Sequence, residues 1–327
     1  MKRPARLVIC LVVLVCGLLA VPPLRALLAA GRPPAPTRLA DDTAARSWRP
    51  PARTGATAAG PARSAVARPK ATSKPVPRHR SSSSADSLSS DLTRDLAASS
   101  GHAAVAVLDL TDGATLQRGD TAHHFVTASI AKVDILAALL LQRQDEGRST
   151  LSSAQRGLAT SMIEQSDNAA ANSLFRQAGS SWGLSLANRR LGLTDTSVPD
   201  PCWGLTRTTA ADQLRLLQAV FTDRSALNRS SRALLQELMG QVESDQAWGV
   251  SAAGLDSPTA LKNGWLPRPD GTWSVNSIGR VGRSGHILLV AVLTDRQPTE
   301  DSGIALVERV ARAAAFALVP SVGRPAG

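Results

Sequence analysis

Apolar positions fall along this chain in three different ways, and each predicts a different kind of segment. From Leu7 to Val21 they run almost without interruption behind Lys2, Arg3 and Arg6. A positive start followed by a short apolar stretch has the order of a secretory signal, and the stretch is shorter than the roughly 20 residues of a comfortable spanning helix. Pro22, Pro23 and Arg25 interrupt it before Ala26–Ala30, and Leu28-Ala29-Ala30-Gly31 is a poor cleavage site. Residues 1–31 are therefore expected to be an export signal, either cleaved or kept as a membrane anchor. Between about Arg32 and Ser84 the apolar pattern vanishes into Pro, Ala, Arg, Ser and Thr, ending in Arg78-His79-Arg80 and four serines. Such a stretch buries too little apolar surface to offset chain entropy, so 32–84 is expected to be a disordered linker.

Regular periods appear only in the third segment, about 85–320. Asp86–Ser99 carries Leu88, Leu92 and Leu96 at a spacing of four, a helical stripe. His102–Leu110 reads as a strand, Thr111-Asp112-Gly113 as a turn, and Ala114–Arg118 as a strand returning. A helical region extends from Ser129 to about Met239, with pieces at Ile130–Gln144, Ser153–Gln165, Ala169–Gln177 and Ala210–Phe221, the last opened by Thr209 with Asp212. Strands return at Ala260–Leu266 and Thr272–Val281 around a Pro-Arg-Pro-Asp-Gly turn, then at His286–Thr294 after the turn Gly282–Gly285. His286–Thr294 is nearly all apolar and so is expected to be buried on both faces. A helix over Ser302–Ala317 closes the pattern. The fold class expected is α+β: one antiparallel sheet flanked by helices, plus an all-helical subdomain.

Charge sharpens the division. The 327 residues carry a formal +11, but residues 1–84 hold 15 Lys or Arg against only Asp41 and Asp42, so that arm is +13 and the remainder −2. A nucleic-acid enzyme carries its basic surface on the folded part; here the arm suits an anionic membrane surface or cell-wall polymer instead. It would hold an exported, cell-surface or extracellular domain away from the membrane. Cys16 follows Val15, where a lipoprotein signal wants a small residue, which argues against lipidation. With Cys10 and Cys16 in the first apolar run, Cys202 is expected to be a lone packed thiol. Glycine-rich phosphate loops, paired cysteines and HExxH are absent from the sequence, so no cofactor or metal is expected. The protein is expected to be a monomer.

Lysine then becomes informative because it is scarce. The chain has five, and only Lys132 and Lys262 fall in the folded segment. As surface charges lysine and arginine are nearly interchangeable, but only lysine can be made neutral by burial or a neighbouring cation. Lys132 follows Ser129 by three residues in Ser129-Ile130-Ala131-Lys132, at the start of a helix, which puts amine and hydroxyl on one face. A partly desolvated lysine can take the hydroxyl proton and turn a weak nucleophile into a strong one. Lys262 opens a strand in Leu261-Lys262-Asn263-Gly264-Trp265, and Ser166-Asp167-Asn168 stands within the helical region. Taken singly, each has an ordinary structural explanation: a helix cap with a snorkelling lysine, an edge-strand charge, a helix cap.

Taken together, S-x-x-K, S-D-N and K-x-G in this order resemble the motif set of class A β-lactamases and penicillin-binding proteins. The flanking Ile163–Asn172, Leu191–Thr196 and Thr208–Asp212 are similar to that family as well. The resemblance spans nearly all of 85–318. It implies an exported serine hydrolase that forms an acyl-enzyme at Ser129 with β-lactams or D-Ala-type peptide amides. Lys132 would be the base or its relay. Ser166, aided by Lys262, would pass a proton to the leaving nitrogen. Asn168 would bind the acyl-side amide, Asp167 would hold its loop, and Lys262 would meet a substrate carboxylate. The backbone N–H groups of Ser129 and Trp265 would form an oxyanion hole beside Gly264. Two departures stand out. The third motif has Asn263 where the family has Thr or Ser; Asn263 keeps a hydrogen-bonding group for substrate, while the bulk of Trp265 is expected to narrow the cleft. The family's loop Glu, which activates the deacylating water, has no counterpart: no Glu occurs between Gln165 and Gln236, and Asp200 is the only acid in the loop Ser197–Arg207. Slow release of the acyl group is expected. The alternative is a non-catalytic cell-wall-binding protein on the same scaffold. A Ser-His-Asp esterase is disfavoured because no G-x-S-x-G is present and the five histidines have surface or packing explanations.

Overall fold

The computed structural model describes residues 82–148 and 150–319. The expected export segment, the linker up to residue 81 and the basic arm lie outside the described residues. Among the described residues no helix is long and apolar enough to cross a membrane.

Helix α1 (Ser82–Ala97) leads into β1 (Ala103–Asp109) and β2 (Thr115–Gly119). A two-residue strand β3 (Phe125–Val126) and a short 3-10 turn (Ala128–Ile130) precede α2 (Ala131–Asp145). The helices α3 (Ser153–Glu164), α4 (Asn168–Gln177), α5 (Ser180–Leu191), α6 (Ala210–Phe221) and α7 (Arg229–Met239) follow, with β4 (Arg207–Thr208) paired to β3. Strands β5 (Asp256–Pro267), β6 (Trp273–Arg283) and β7 (His286–Gln297) and the helix α8 (Glu300–Leu318) complete the chain. The five long strands form one antiparallel sheet in the order β2-β1-β7-β6-β5. This is the α+β architecture expected from the sequence.

Period-two alternation explains how the sheet acquires two apolar faces. In β1, Ala104, Ala106 and Leu108 join a core shared with α2 to α7, while Ala103, Val105 and Val107 join one shared with α8. The central β7 is buried from Leu288 to Thr294, which accounts for its unbroken apolar text. Helix α2 is buried from Ala131 through Leu141 and forms the axis of the helical lobe. Local signals set several boundaries. Thr209 caps α6 by accepting the Asp212 N–H at 3.2 Å, and Ser152 with Gln155 forms a capping box on α3.

Candidate active site

Four elements bring the lysine and serine positions together. The chain leaves β3 through Thr127, whose N–H donates to Thr206 O at 2.8 Å. Asn276 on β6 fixes the same segment, donating from Nδ2 to Val126 O (2.8 Å) and Thr127 O (3.1 Å) while its Oδ1 accepts from Thr294 N. Ala128 sits at φ 48°, a left-handed conformation that costs a residue with a Cβ about 1–2 kcal/mol. That strain turns the chain so that Ser129 lies half-buried on the 3-10 turn, immediately before α2. Ser166 occupies a second left-handed position, φ 57°, between α3 and α4. There Asp167 caps α4 by accepting the Ala170 N–H at 2.6 Å. Strained residues at both serines mark a place where position outweighs local comfort.

Lys132 joins them. Its side chain is fully buried, and Nζ lies 2.9 Å from Ser129 Oγ, 2.9 Å from Ser166 Oγ, 2.6 Å from Ser166 O and 2.8 Å from Asn168 Oδ1. An ammonium has three N–H groups for these four oxygens. A neutral amine has two, which match the two pure acceptors, Ser166 O and Asn168 Oδ1, and leaves a lone pair for a hydroxyl. Burial, and secondarily the charge of Lys262, lowers Lys132 from 10.5 to about 6, against the opposing pull of Asp167. The arrangement thus holds a neutral amine against two serine hydroxyls at neutral pH. Such an amine can accept a hydroxyl proton.

The opposite wall is β5. Lys262 is fully buried, lowered by desolvation to about 7, and among the described residues donates only to Asn263 O, at 3.2 Å. A Cβ on Gly264 would lie 2.7 Å from Ser129 N, Ile130 N and Thr127 O, so only glycine permits this approach of strand to turn. Strand alternation turns Asn263 and Trp265 the other way. Asn263 is fully buried and its amide donates to Gln246 O (2.7 Å) and Trp248 O (3.0 Å), away from Ser129, so its side chain is not the substrate donor anticipated from the motif. Trp265 packs edge-to-face on Trp248, with centroids 5.8 Å apart, against the α8-side core. Its bulk therefore does not narrow the Ser129 side, which corrects the expectation from its size.

The loop 197–207 contributes a residue that the motif analysis passed over. Trp203 is 3% exposed and covers the amine of Lys132, its ring centroid 5.2 Å from Nζ, while its Nε1 donates to Asn172 Oδ1 at 2.7 Å. A single large aromatic in a loop rich in Pro and small residues was the one available signal. The neighbouring Cys202 is buried and disulfide-bonded, and so is not the lone thiol expected. Asp200 is exposed, and its Oδ1 accepts from Ser181 Oγ at 2.9 Å on α5 rather than turning to Ser129. His102, His123 and His286 pair with Asp120, Asp295 and Asp109, and none of these pairs includes Ser129.

The sequence model of the Beta-lactamase enzyme family matches residues 148–318, a span that holds Ser166 and Lys262 but not Ser129 or Lys132. A protein of Mycobacterium tuberculosis named "Putative lipoprotein LppW" is 29% identical over 217 residues, which cover 64% of this chain and 68% of that protein. Among solved structures, the TLA-1 extended-spectrum β-lactamase superposes with a TM-score of 0.63 at 19% identity, covering 72% of this chain and 99% of its own. A β-lactamase from Xanthomonas campestris gives 0.61 at 23%, covering 72% and 98%. A mutant of PBP-A in an acyl-enzyme complex with penicillin G gives 0.61 at 22%, covering 71% and 96%. With the family model matched over more than half of its length and the fold shared with these enzymes, this chain belongs to the β-lactamase enzyme family.

Proposed function

We propose that residues 85–320 form an exported serine hydrolase domain that takes an acyl group from β-lactams or D-Ala-type peptide amides onto Ser129. The observation that carries this reading is the buried Lys132 amine, 2.9 Å from both Ser129 Oγ and Ser166 Oγ and lowered to about 6. In this reading Lys132 accepts the Ser129 proton as Oγ attacks the carbonyl carbon. The developing oxyanion meets the backbone N–H groups of Ser129 and Trp265, beside the close approach at Gly264. The C–N bond then breaks, and Ser166 Oγ delivers a proton to the leaving nitrogen, restored through Lys132. Asn168, exposed at the start of α4, binds the acyl-side amide, and Lys262 meets a substrate carboxylate.

Release of the acyl group is slow, because no Glu stands in the loop and Asp200 is engaged with Ser181. The N-terminal 84 residues carry the domain to the cell surface, a location in keeping with a relative named as a lipoprotein. Incubation with a fluorescent penicillin, followed by intact-mass and peptide mass spectrometry, tests the reading. The expected result is one penicilloyl adduct, mapped to Ser129 and lost in Ser129→Ala. No adduct, or one undiminished in Ser129→Ala, rejects it in favour of a non-catalytic wall-binding protein.

A further inference from the structure

Three hydrogen-bonding residues orient the Lys132 amine, but an aromatic ring covers it. Trp203 lies in a short buried stretch, Cys202–Gly204, flanked by the exposed Pro201 and by Leu205, which is 37% exposed. The loop is closed at its neck, where Ser197 and Arg207 exchange both backbone hydrogen bonds at 2.9 Å. Trp203 O accepts from Thr206 N at 3.1 Å, and Thr206 O accepts from Thr127 N, two residues before Ser129. On the other side, Asn172 holds the indole Nε1 one helical turn beyond Asn168, so α4 grips both the amine and its cover. The ring is thus fixed from three directions over one nitrogen.

We propose that Trp203 is a positioning residue that keeps water from the Lys132 amine and from an acyl ester on Ser129, and so sets how long the acyl group stays. The inference rests on the acyl-enzyme reading given above and adds to it the residue that governs release. Two effects of an indole on an amine oppose each other. Its negative face attracts an ammonium and favours the charged form, while its bulk removes water and favours the neutral form. Burial is the largest cause that lowers Lys132, and the ring 5.2 Å from Nζ is part of that burial. Hydrolysis of the ester requires a water oxygen to add to the carbonyl carbon, the bond from that carbon to Ser129 Oγ to break, and a proton to return to Oγ. A neutral Lys132 can relay that proton, but only if water enters beside it. The sealed loop denies that entry.

The test forms the adduct on the full chain with a fluorescent penicillin, removes excess reagent, and follows loss of the adduct by mass. Trp203→Leu is expected to shorten the adduct lifetime about tenfold or more by admitting water. It should also raise the pH midpoint of adduct formation as Lys132 becomes hydrated, with Lys262 and Asp167 still facing it. Trp203→Phe, which keeps a ring, is expected to retain most of the lifetime. Asn172→Ala, which frees the indole while leaving the core intact, should move both readouts in the same direction as Trp203→Leu and serves if the leucine variant fails to fold. A stable adduct in both Trp203→Leu and Asn172→Ala, or an unmoved pH midpoint, overturns the proposal. Failure of the unaltered protein to form any adduct instead rejects the role of Ser129, and this inference with it.

Discussion

Lys132 and Lys262 are both fully buried, yet the chain treats them differently. Lys132, on the helical wall, meets four oxygens from three residues within 3 Å. Lys262, on the strand wall, donates among the described residues to the backbone oxygen of the next residue at 3.2 Å. Burial is the largest cause of the lowered value in each, to about 6 and about 7. Desolvation alone is therefore enough to bring a lysine far below its ordinary value here, and the partners of Lys132 do a different job: they aim it. A proton acceptor must be held in place before substrate arrives, whereas a charge meant for an anionic substrate can wait for its partner. The two are also coupled, because a protonated Lys262 is the second cause that lowers Lys132.

The largest effect should come from removing the aimed amine. Lys132→Ala is expected to slow penicilloyl adduct formation by about 10²–10⁴, the usual range for a positioned proton-transfer group. Lys132→Arg should be no better, since a guanidinium stays protonated. Stopped-flow or quenched mass measurements of the second-order rate would check both. If Lys132→Arg retains the rate, the comparison between the two lysines has been drawn on the wrong property.

The pH dependence sharpens the coupling. Neutral Lys132 is the competent form, so the rate should fall as pH drops through about 6 and level off above it. Lys262→Met removes the neighbouring cation and should raise that midpoint; Asp167, which pulls the other way, remains in both proteins. An unchanged midpoint in Lys262→Met would show that the walls are electrostatically independent. The same variant bears on stability. Because Lys262 is lowered in the fold, the unfolded chain binds the extra proton between about 7 and 10.5, so this group's contribution to stability rises with pH across that window. Lys262→Met should flatten that rise and increase Tm at neutral pH, as seen by differential scanning calorimetry at several pH values.

Gly264 tests the geometry that brings the walls together. A Cβ there would lie 2.7 Å from three backbone atoms of the Thr127–Ile130 turn, none of which can swing aside. Gly264→Ala is expected to destabilise the fold by about 1–3 kcal/mol and to slow adduct formation by separating β5 from Ser129. Thermal melts and adduct rates measured side by side would check it, and a variant with unchanged Tm and rate would mean that the strand is free to withdraw.

What the sequence could reveal of this comparison depended on the range of the forces involved. The bounds of α6 were legible because Thr209 and Asp212 act within one turn. Lys132 was legible because a helix places residues three apart on one face, and the scarcity of lysine singled out its partner. The helix α5 was not delimited, since Trp182 is 72% exposed and Leu186 is 39% exposed, which blurs its apolar stripe. Strands of two residues, β3 and β4, have no period to detect. The directions of Asn263 and Trp265 needed the strand's register, for the motif names residues but not faces. Trp203 needed the closure of a loop onto a helix that begins more than sixty residues earlier.

That loop supplies the smallest expected effect, and the one that separates two accounts of slow release. If an acid in the loop drives what hydrolysis there is, Asp200 is the only candidate that the sequence offers. Its carboxylate, however, is exposed and accepts from Ser181 Oγ at 2.9 Å on α5, whereas Trp203 of the same loop covers Lys132. An exposed carboxylate gains little from the protein as a base and has water of its own to activate, away from the ester. Asp200→Asn is therefore expected to leave the adduct lifetime unchanged in the same mass-loss assay, losing only a surface hydrogen bond of about 1 kcal/mol or less. A lengthened lifetime would move the control of release from the covering ring to the loop acid, and release would then be set by chemistry rather than by access of water.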